Sequence, residues 1–430
     1  MTHQLVWLAI ILVSAFCVIT LYHKRGVDVA FVSFVNLIYI LAVLPKFIMY
    51  SQHGDLVFLA NDVGIEPAHV QSAALLISSF VLAVNLAWWI PKNVAAKSPF
   101  MAATSQASGN ILSPVAFSSD RLNLLAILPL SSIAMAVFVW AIYADGGQIL
   151  QKIPVQTSEG LSSAYIMQKV AQVSKVGVYV YFLRLIADPA KLNAKSLVLF
   201  SLTAALTAAV FVLSGHRSGV FILLLQLILV FHYRRELRWR HAIACLAIFI
   251  VVNVLILLTR DSPEQTQFAL VNIFRRYFFE IEKISALTKV LYDYSDAVNN
   301  PWSVLISGPA PAPTTAGLHF YVGHDLLKSH SAVPPTVLGE IIVWLGGVAV
   351  FPIAFIIGSL AHKVEKETFR ARSPVLALTC LTVTAMGMFL LLNTDTWAFV
   401  KRTLFEFILI AFAWFGLWCH QSWTNSLKPS

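Results

Sequence analysis

Long apolar blocks alternate with short charged stretches along the whole chain. Most blocks have close to the twenty residues that a helix needs to cross a bilayer, and together they predict about eleven spans. By residue number, these spans are 5–21, 29–44, 73–90, 124–143, 173–187, 196–213, 219–232, 242–258, 341–360, 375–392 and 404–418. The pattern therefore predicts an all-α fold in the form of a polytopic transmembrane helical bundle.

The composition excludes a water-soluble protein. Apolar types make up 58% of the 430 residues and charged types only 12%, which is about half the charged share of soluble domains. The net charge of +9 does not indicate a nucleic-acid partner, because the basic residues collect in particular loops. The four cysteines lie inside apolar blocks without paired spacing, so neither a disulfide framework nor a zinc site is expected.

Basic residues predict the orientation of the spans. Seventeen of the 30 Lys and Arg residues lie in the loops of one side and seven in the short loops of the other. Loops rich in Lys and Arg face the cytoplasm. We therefore expect the amino terminus outside and the carboxyl terminus inside.

One long outward loop divides the chain into three parts. We expect a bundle of spans one to eight over residues 1–259, the loop over 260–338, and spans nine to eleven over 339–430. Within the loop, apolar residues at 274, 277, 281, 284 and 291 recur at helical spacing. The opposite face carries Arg275, Glu282, Lys283 and Lys289. The loop should thus contain an amphipathic helix, lying along the outer membrane boundary or packed on the bundle.

Four arginines near the outward side are candidate anion ligands. Arg217 lies in the tight turn 214–219, Arg275 and Arg276 lie in the long loop, and Arg402 lies in the turn before the last span. The planar guanidinium binds a phosphate or diphosphate through two parallel hydrogen bonds. The alternative for each arginine is contact with lipid headgroups or a local ion pair.

Three residues are candidate general bases. Glu340 follows Gly339 at the outward end of the ninth span, where a carboxylate either finds a partner such as Arg217 or takes part in chemistry. His330 and Asp325 lie in the long loop, and imidazole titrates near neutral pH. The histidines of this loop lack metal-ligand spacing, so no metal is expected. Charged residues near other span ends, such as Lys175 and Glu406, are explained by snorkelling or an interhelical pair.

Two motifs resemble those of oligosaccharide repeat-unit polymerases, the Wzy-type O-antigen polymerases. The turn 214–219, Ser-Gly-His-Arg-Ser-Gly, resembles the G-x-R turn of that family. The stretch 335–348 is similar to the family's T-x-x-G-E-x-Y-x-N-F-G-x-x-G, with Glu340 and Gly346 at matching positions. Ile342 and Trp344-Leu345 replace the aromatic residue and the Asn-Phe pair of that pattern.

The resemblance implies a multi-pass glycosyltransferase of the bacterial inner membrane that needs no cofactor. It would have a periplasmic amino terminus and a cytoplasmic carboxyl terminus. Its substrates would be undecaprenyl-pyrophosphate-linked oligosaccharides within membrane lipid, joined into O-antigen, capsule, exopolysaccharide or common antigen. The family also implies a polysaccharide chain-length regulator as partner. Arg217, Arg275, Arg276 and Arg402 would hold the pyrophosphate, and Glu340, His330 or Asp325 would act as the base.

Three other functions compete with the polymerase: an O-antigen ligase, a flippase or transporter, and a purely structural scaffold within a polysaccharide assembly complex. An O-antigen ligase is a close relative of the polymerases, and His330-Ser331 resembles the loop histidine of the ligases. A flippase or transporter for lipid-linked sugars predicts charges at the membrane midplane, paired broken helices and internal symmetry. The sequence shows none of these three features clearly.

Overall fold

The computed structural model is almost entirely helical. It describes residues 2–23, 30–53, 65–90, 120–145, 156–157, 160–187, 194–214, 217–233, 244–245, 247–248, 250–251, 280–294, 300–309, 336–371, 373–393 and 396–426. The only strands among them, β1 (Gln156–Thr157) and β2 (Gly160–Leu161), form one short antiparallel pair. The predicted all-α fold is thus confirmed.

Fourteen α-helices make up the described chain. The first nine are α1 (Thr2–His23), α2 (Ala30–Ile38), α3 (Leu44–His53), α4 (Pro67–Trp89), α5 (Asp120–Ala144), α6 (Ser163–Ala171), α7 (Lys175–Ala187), α8 (Ala194–Leu213) and α9 (Arg217–Tyr233). The others are α10 (Glu280–Tyr294), α11 (Thr336–Leu345), α12 (Val350–Arg370), α13 (Pro374–Asn393) and α14 (Thr396–Ser426). A π-helical turn, Tyr39–Val43, joins α2 to α3, and a 3-10 turn, Gln172–Ser174, joins α6 to α7.

The helices are those of a polytopic membrane protein. Within the described ranges, nine helical runs are long and apolar enough to cross a bilayer, and two apolar helices are shorter. The predicted fifth span begins ten residues too late, because α6, the 3-10 turn and α7 form the single run Ser163–Ala187. The predicted eleventh span is only part of α14, which has 31 residues. Most of the predicted eighth span, 242–258, lies outside the described residues, and the total of about eleven stays a prediction.

The chain divides into two compact units. Unit 1 comprises Met1–Lys92, Val271–Lys366 and Met386–Arg402. Unit 2 comprises Asn93–Leu270, Glu367–Ala385 and Thr403–Ser430. Helices α1 to α4, α10 and α11 therefore belong to unit 1, and α5 to α9 belong to unit 2.

Helix α4 forms the centre of unit 1, with 83% of its span buried. Polar side chains inside this apolar core pair with each other. The amides of Asn36 and Asn85 exchange two hydrogen bonds of 3.0 and 2.8 Å, and the hydroxyls of Tyr39 and Ser78 lie 2.7 Å apart. Pairing of this kind removes the large free-energy penalty of a bare polar group in hydrocarbon.

The predicted helix of the long loop packs on the bundle. Helix α10 buries Ile281, Ile284 and Leu291 as expected, and Thr288 donates a 3.0 Å hydrogen bond to the carbonyl of His69 on α4. Lys283, which the periodicity places on the face opposite the apolar stripe, is also buried and is only 1% exposed. Because α10 packs inside unit 1 instead of lying on a membrane surface, its buried face is wider than one apolar stripe.

A carboxylate clasp joins the end of α5 to the start of α6 in unit 2. Asp145 accepts hydrogen bonds from the hydroxyl of Ser163, from the hydroxyl of Ser162 at 2.7 Å and from the amide of Ala164 at 2.9 Å. These hydrogen bonds, that of Ser163 foremost, hold the pKa of the Asp145 carboxyl below its usual value. The clasp fixes the first turn of α6.

The predicted ninth span, 341–360, is not one helix. Helix α11 ends at Leu345 and α12 begins at Val350, and the short segment 300–309 lies against the break. The amide of Val348 donates to the Ser307 carbonyl at 3.3 Å, and the amide of Gly347 donates to the Ser307 hydroxyl at 3.3 Å. Gly346 has a φ of +83°, and a Cβ at this position would lie 2.4 Å from the carbonyl carbon of Gly308. The break therefore requires glycine at position 346.

We predict that Gly346→Ala destabilises unit 1 by about 2 kcal/mol, because it adds positive-φ strain and a clash with backbone. The measurement is the apparent Tm of the purified protein in detergent. Gly416→Ala is the control, since a Cβ at position 416 has nothing within 4 Å, and its Tm should stay at the wild-type value. Equal Tm values for the two variants would contradict this interpretation of the break.

Candidate active site

A strained turn places the carboxylate of Glu340. Helix α11 begins at Thr336, which has a φ of +65°, a conformation that β-branched residues rarely adopt. The hydroxyl of Thr336 accepts a 3.5 Å hydrogen bond from the amide of Gly339, which closes the first turn. Glu340 follows directly and is half-buried. Backbone strain of this kind occurs preferentially at functional sites.

The two oxygens of Glu340 have different surroundings. Oε2 accepts a 3.0 Å hydrogen bond from the amide of Thr396 and a 2.5 Å hydrogen bond from its hydroxyl. Thr396 is the first residue of α14, so the carboxylate binds one of the open amides at a helix amino terminus. Within the described part of the chain, Oε1 has no hydrogen-bond partner. Glu340 is thus fixed through one oxygen while the other can accept a proton.

Arg402 lies on the same helix that Glu340 holds. It is six residues beyond Thr396, about 9 Å along the axis of α14. Its side chain is half-buried, and its guanidinium carbon lies 5.3 Å from the centre of the Phe389 ring. The neighbouring Lys401 is exposed. The ring contact restricts the guanidinium.

The other predicted site residues are placed only in part. Arg217 is the first residue of α9 in unit 2, and its side chain is outside the described part of the structure. Arg275, Arg276, Asp325 and His330 also lie outside the described residues. Among the predicted site residues, the structure therefore describes the side chains of Glu340 and Arg402, both in unit 1. Their roles, like those of the others, stay predictions.

A second polar cluster lies inside unit 2. Lys175, in the middle of the run Ser163–Ala187, forms a buried ion pair with Glu406 of α14. The hydroxyl of Tyr179 donates to the other oxygen of Glu406, and Gln226 of α9 donates to that hydroxyl at 3.0 Å. The Lys175 ammonium also lies 5.6 Å from the ring centre of Phe211. We call Lys175, Tyr179, Gln226 and Glu406 the buried ion-pair network.

Part of this network could be predicted from the sequence. Charged residues inside apolar spans are costly, so Lys175 and Glu406 stood out as an interhelical pair or as snorkelling residues. The structure shows the pair. The network's other members, Tyr179 and Gln226, could not be predicted, because uncharged residues do not stand out in an apolar span. The same holds for Thr396, the residue that hydrogen-bonds to Glu340.

Comparison with known proteins identifies the family. The family model described as "Putative O-antigen polymerase" matches residues 161–385, more than half of the chain. The chain belongs to the O-antigen polymerase family. The matched region contains Glu340, Arg217 and three members of the buried ion-pair network, but neither Arg402 nor Glu406. The comparisons with curated proteins and with solved structures find no match.

Membership of the O-antigen polymerase family confirms the resemblance seen in the two sequence motifs. It also supports a polysaccharide polymerase role in a multi-pass membrane protein. Both motif regions lie within the matched residues, and the second contains Thr336, Glu340 and Gly346. In the structure, Thr336 begins a helix with a strained backbone, Glu340 is hydrogen-bonded through one carboxylate oxygen, and Gly346 lies at a helix break.

We predict non-additive effects in the buried ion-pair network. Lys175→Met or Glu406→Leu alone leaves one buried charge without its partner and should cost about 3 kcal/mol of stability, whereas the double variant should lose less than the sum. The measurement is a double-mutant cycle on unfolding in detergent.

The matched control is the exposed pair of Lys289 and Asp293 on α10, with 2.5 Å between Nζ and Oδ2. Its cycle should give a coupling of under about 1 kcal/mol. Additive losses at Lys175 and Glu406 would show that the two charges do not interact in the membrane.

Proposed function

We propose that this protein is a glycosyltransferase that polymerises undecaprenyl-pyrophosphate-linked oligosaccharide repeat units. The reaction takes place at the periplasmic face of the bacterial inner membrane, with the amino terminus periplasmic and the carboxyl terminus cytoplasmic. The family supports the polymerase role, and the distribution of Lys and Arg among the loops supports the orientation. The observation that carries the proposal is the half-buried Glu340, which is held by one oxygen while the other has no hydrogen-bond partner among the described residues.

The reaction is a displacement at an anomeric carbon. A hydroxyl oxygen of the newly arrived, carrier-bound unit forms a bond to the anomeric carbon of the growing glycan. The bond from that carbon to the undecaprenyl pyrophosphate breaks, and the pyrophosphate leaves with the electron pair. The hydroxyl proton passes to Oε1 of Glu340, while Thr396 keeps the carboxylate in place through Oε2. His330 and Asp325 are the alternative bases.

Cations stabilise the leaving group. A pyrophosphate needs no strong general acid, but its charge has to be stabilised as the bond breaks. We assign this task to Arg402, Arg217, Arg275 and Arg276. For Arg402, the half-buried position and the contact with the Phe389 ring support the assignment, because an ordered guanidinium binds an anion with little reorganisation.

The same chemistry with a different acceptor gives the second candidate, an O-antigen ligase. A lipid-linked oligosaccharide flippase is the third candidate, and one observation favours it. The buried ion-pair network lies in the middle of a span whose helix is interrupted by a 3-10 turn at Gln172–Ser174. Charges at mid-membrane depth beside an interrupted helix are features of transporters.

Reconstitution separates the three functions. Purified protein in proteoliposomes is supplied with a single kind of undecaprenyl-pyrophosphate-linked repeat unit, and the lengths of the products are analysed on a gel. A ladder of lengths is expected for the polymerase. A single transfer to another lipid would identify a ligase, and movement across the bilayer without new bonds would identify a flippase; either result would overturn the proposal.

The same assay tests Glu340. The amide of Glu340→Gln can still accept the hydrogen bonds of Thr396 but cannot take up the proton, so polymerisation should fall by about 10²- to 10⁴-fold while membrane insertion stays normal. Asp293→Asn, which neutralises an exposed carboxylate in the same unit, is the control and should polymerise at the wild-type rate. Wild-type turnover by Glu340→Gln would remove this residue from the reaction.

A further inference from the structure

Unit 1 contains an apolar groove beside the helix that carries Glu340. It has about 490 Å³ of empty volume, part of which is open to the surroundings of the protein. Residues from α2 and its π-helical turn, α4, α11 and α13 form its walls. The residues that line it include Tyr39, Ile77, Phe80, Val81, Val337 and Leu338.

The lining of this groove selects hydrocarbon. Tyr39 is the one lining residue with a polar side-chain atom among those described, and its hydroxyl is already within 2.7 Å of the Ser78 hydroxyl. Ile77, Phe80 and Val81 of α4 form an aliphatic and aromatic wall. The only polar side-chain atom in the described lining is thus already hydrogen-bonded, and the groove suits an apolar chain better than a sugar or a phosphate.

The groove begins at a helix irregularity next to exposed apolar surface. Tyr39 and Val43, the two ends of the π-helical turn, both line it. Leu41, in the middle of the turn, is 69% exposed and Leu37 is 46% exposed, as expected for residues that face lipid tails in a multi-pass membrane protein. Single π-helical turns occur preferentially at functional sites. A hydrocarbon chain in the groove would thus have neighbours in the bilayer.

The groove reaches the candidate active site through α11. Val337 and Leu338 line the groove, and Glu340 follows them on the same helix. Residues three apart are neighbours on a helical surface, with about 5–6 Å between Cβ atoms. The apolar wall at Val337 is therefore next to the Glu340 carboxylate. This proximity is required if the reacting group and the lipid chain belong to one substrate molecule.

We propose that this groove binds the isoprenoid chain of the carrier lipid, in the segment nearest to the pyrophosphate. The inference rests on the proposed function and adds to it a site for the lipid half of the substrate. Ordinary phospholipid acyl chains share the hydrocarbon chemistry, but they carry no group that is brought to Glu340. Continuity with Glu340 is what favours the polyprenyl chain.

Carrier selectivity tests the groove. Transfer rates are compared for one glycan carried on undecaprenyl pyrophosphate and on methyl pyrophosphate, which has no isoprenoid chain, using wild-type protein, Val81→Phe and Ile133→Phe. Val81→Phe fills the groove and should lower the undecaprenyl-to-methyl rate ratio by about tenfold. Ile133→Phe, on a side of α5 that is 62% exposed, adds the same ring elsewhere and should keep the wild-type ratio. An unchanged ratio in Val81→Phe, or an equal fall in both variants, would overturn the proposal.

Photolabelling keeps the proposal testable without turnover or a stable variant. Wild-type protein in nanodiscs is irradiated with a diazirine-bearing undecaprenyl pyrophosphate, and the labelled peptides are mapped by mass spectrometry. We expect label on α4 and α11, and we expect excess undecaprenyl pyrophosphate to prevent this labelling. Label confined to other helices, or label that excess phospholipid removes equally well, would overturn it. Labelling of the groove together with failure of all transfer would instead reject the proposed function and leave the lipid site standing.

Discussion

A polar group inside a membrane bundle has to be paired within the chain, and this constraint organises the structure. No water is at hand to hydrate a buried charge, so an unpaired one costs several kcal/mol. Lys175 and Glu406 satisfy the constraint as an ion pair. Glu365 satisfies it differently, because its carboxylate accepts a 2.6 Å hydrogen bond from the amide of Phe31 in the first turn of α2. Paired charges of this kind fix which helices pack together and in which register.

Glu340 is held in a similar way but is only half-buried, whereas Glu365 is buried. Like Glu365, it binds an amide in the first turn of another helix, here Thr396 of α14. Both hydrogen bonds from Thr396 go to one carboxylate oxygen, so the helix is held while the second oxygen stays open in the described structure. Helix α14 continues through Arg402 to Glu406 of the buried ion-pair network. Glu340 therefore positions α14 through one oxygen, and in the proposed reaction it accepts the proton through the other.

The sequence predicted the fold well, because hydropathy over twenty residues depends on composition and not on contacts. It missed features that depend on one tertiary contact. The break at Gly346 was hidden in a continuous apolar stretch, since only the approach of Ser307 and Gly308 shows why glycine is needed. The burial of Lys283 was not predicted either, because helical periodicity cannot tell a membrane surface from a packed neighbour. In the candidate site, the motif led to the prediction of Glu340, but it could not reveal Thr396, which is distant in sequence and has no charge.

The central claim is that a hydroxyl displaces a pyrophosphate-linked carrier from a glycan at this site. The most direct measurement counts undecaprenyl pyrophosphate released against glycosidic bonds formed, in proteoliposomes that contain only this protein and its lipid-linked substrate. We expect one carrier released for each new bond throughout the reaction. Carrier released without new bonds would indicate hydrolysis, and bonds formed without release of carrier would exclude pyrophosphate as the leaving group; either result would contradict the claim.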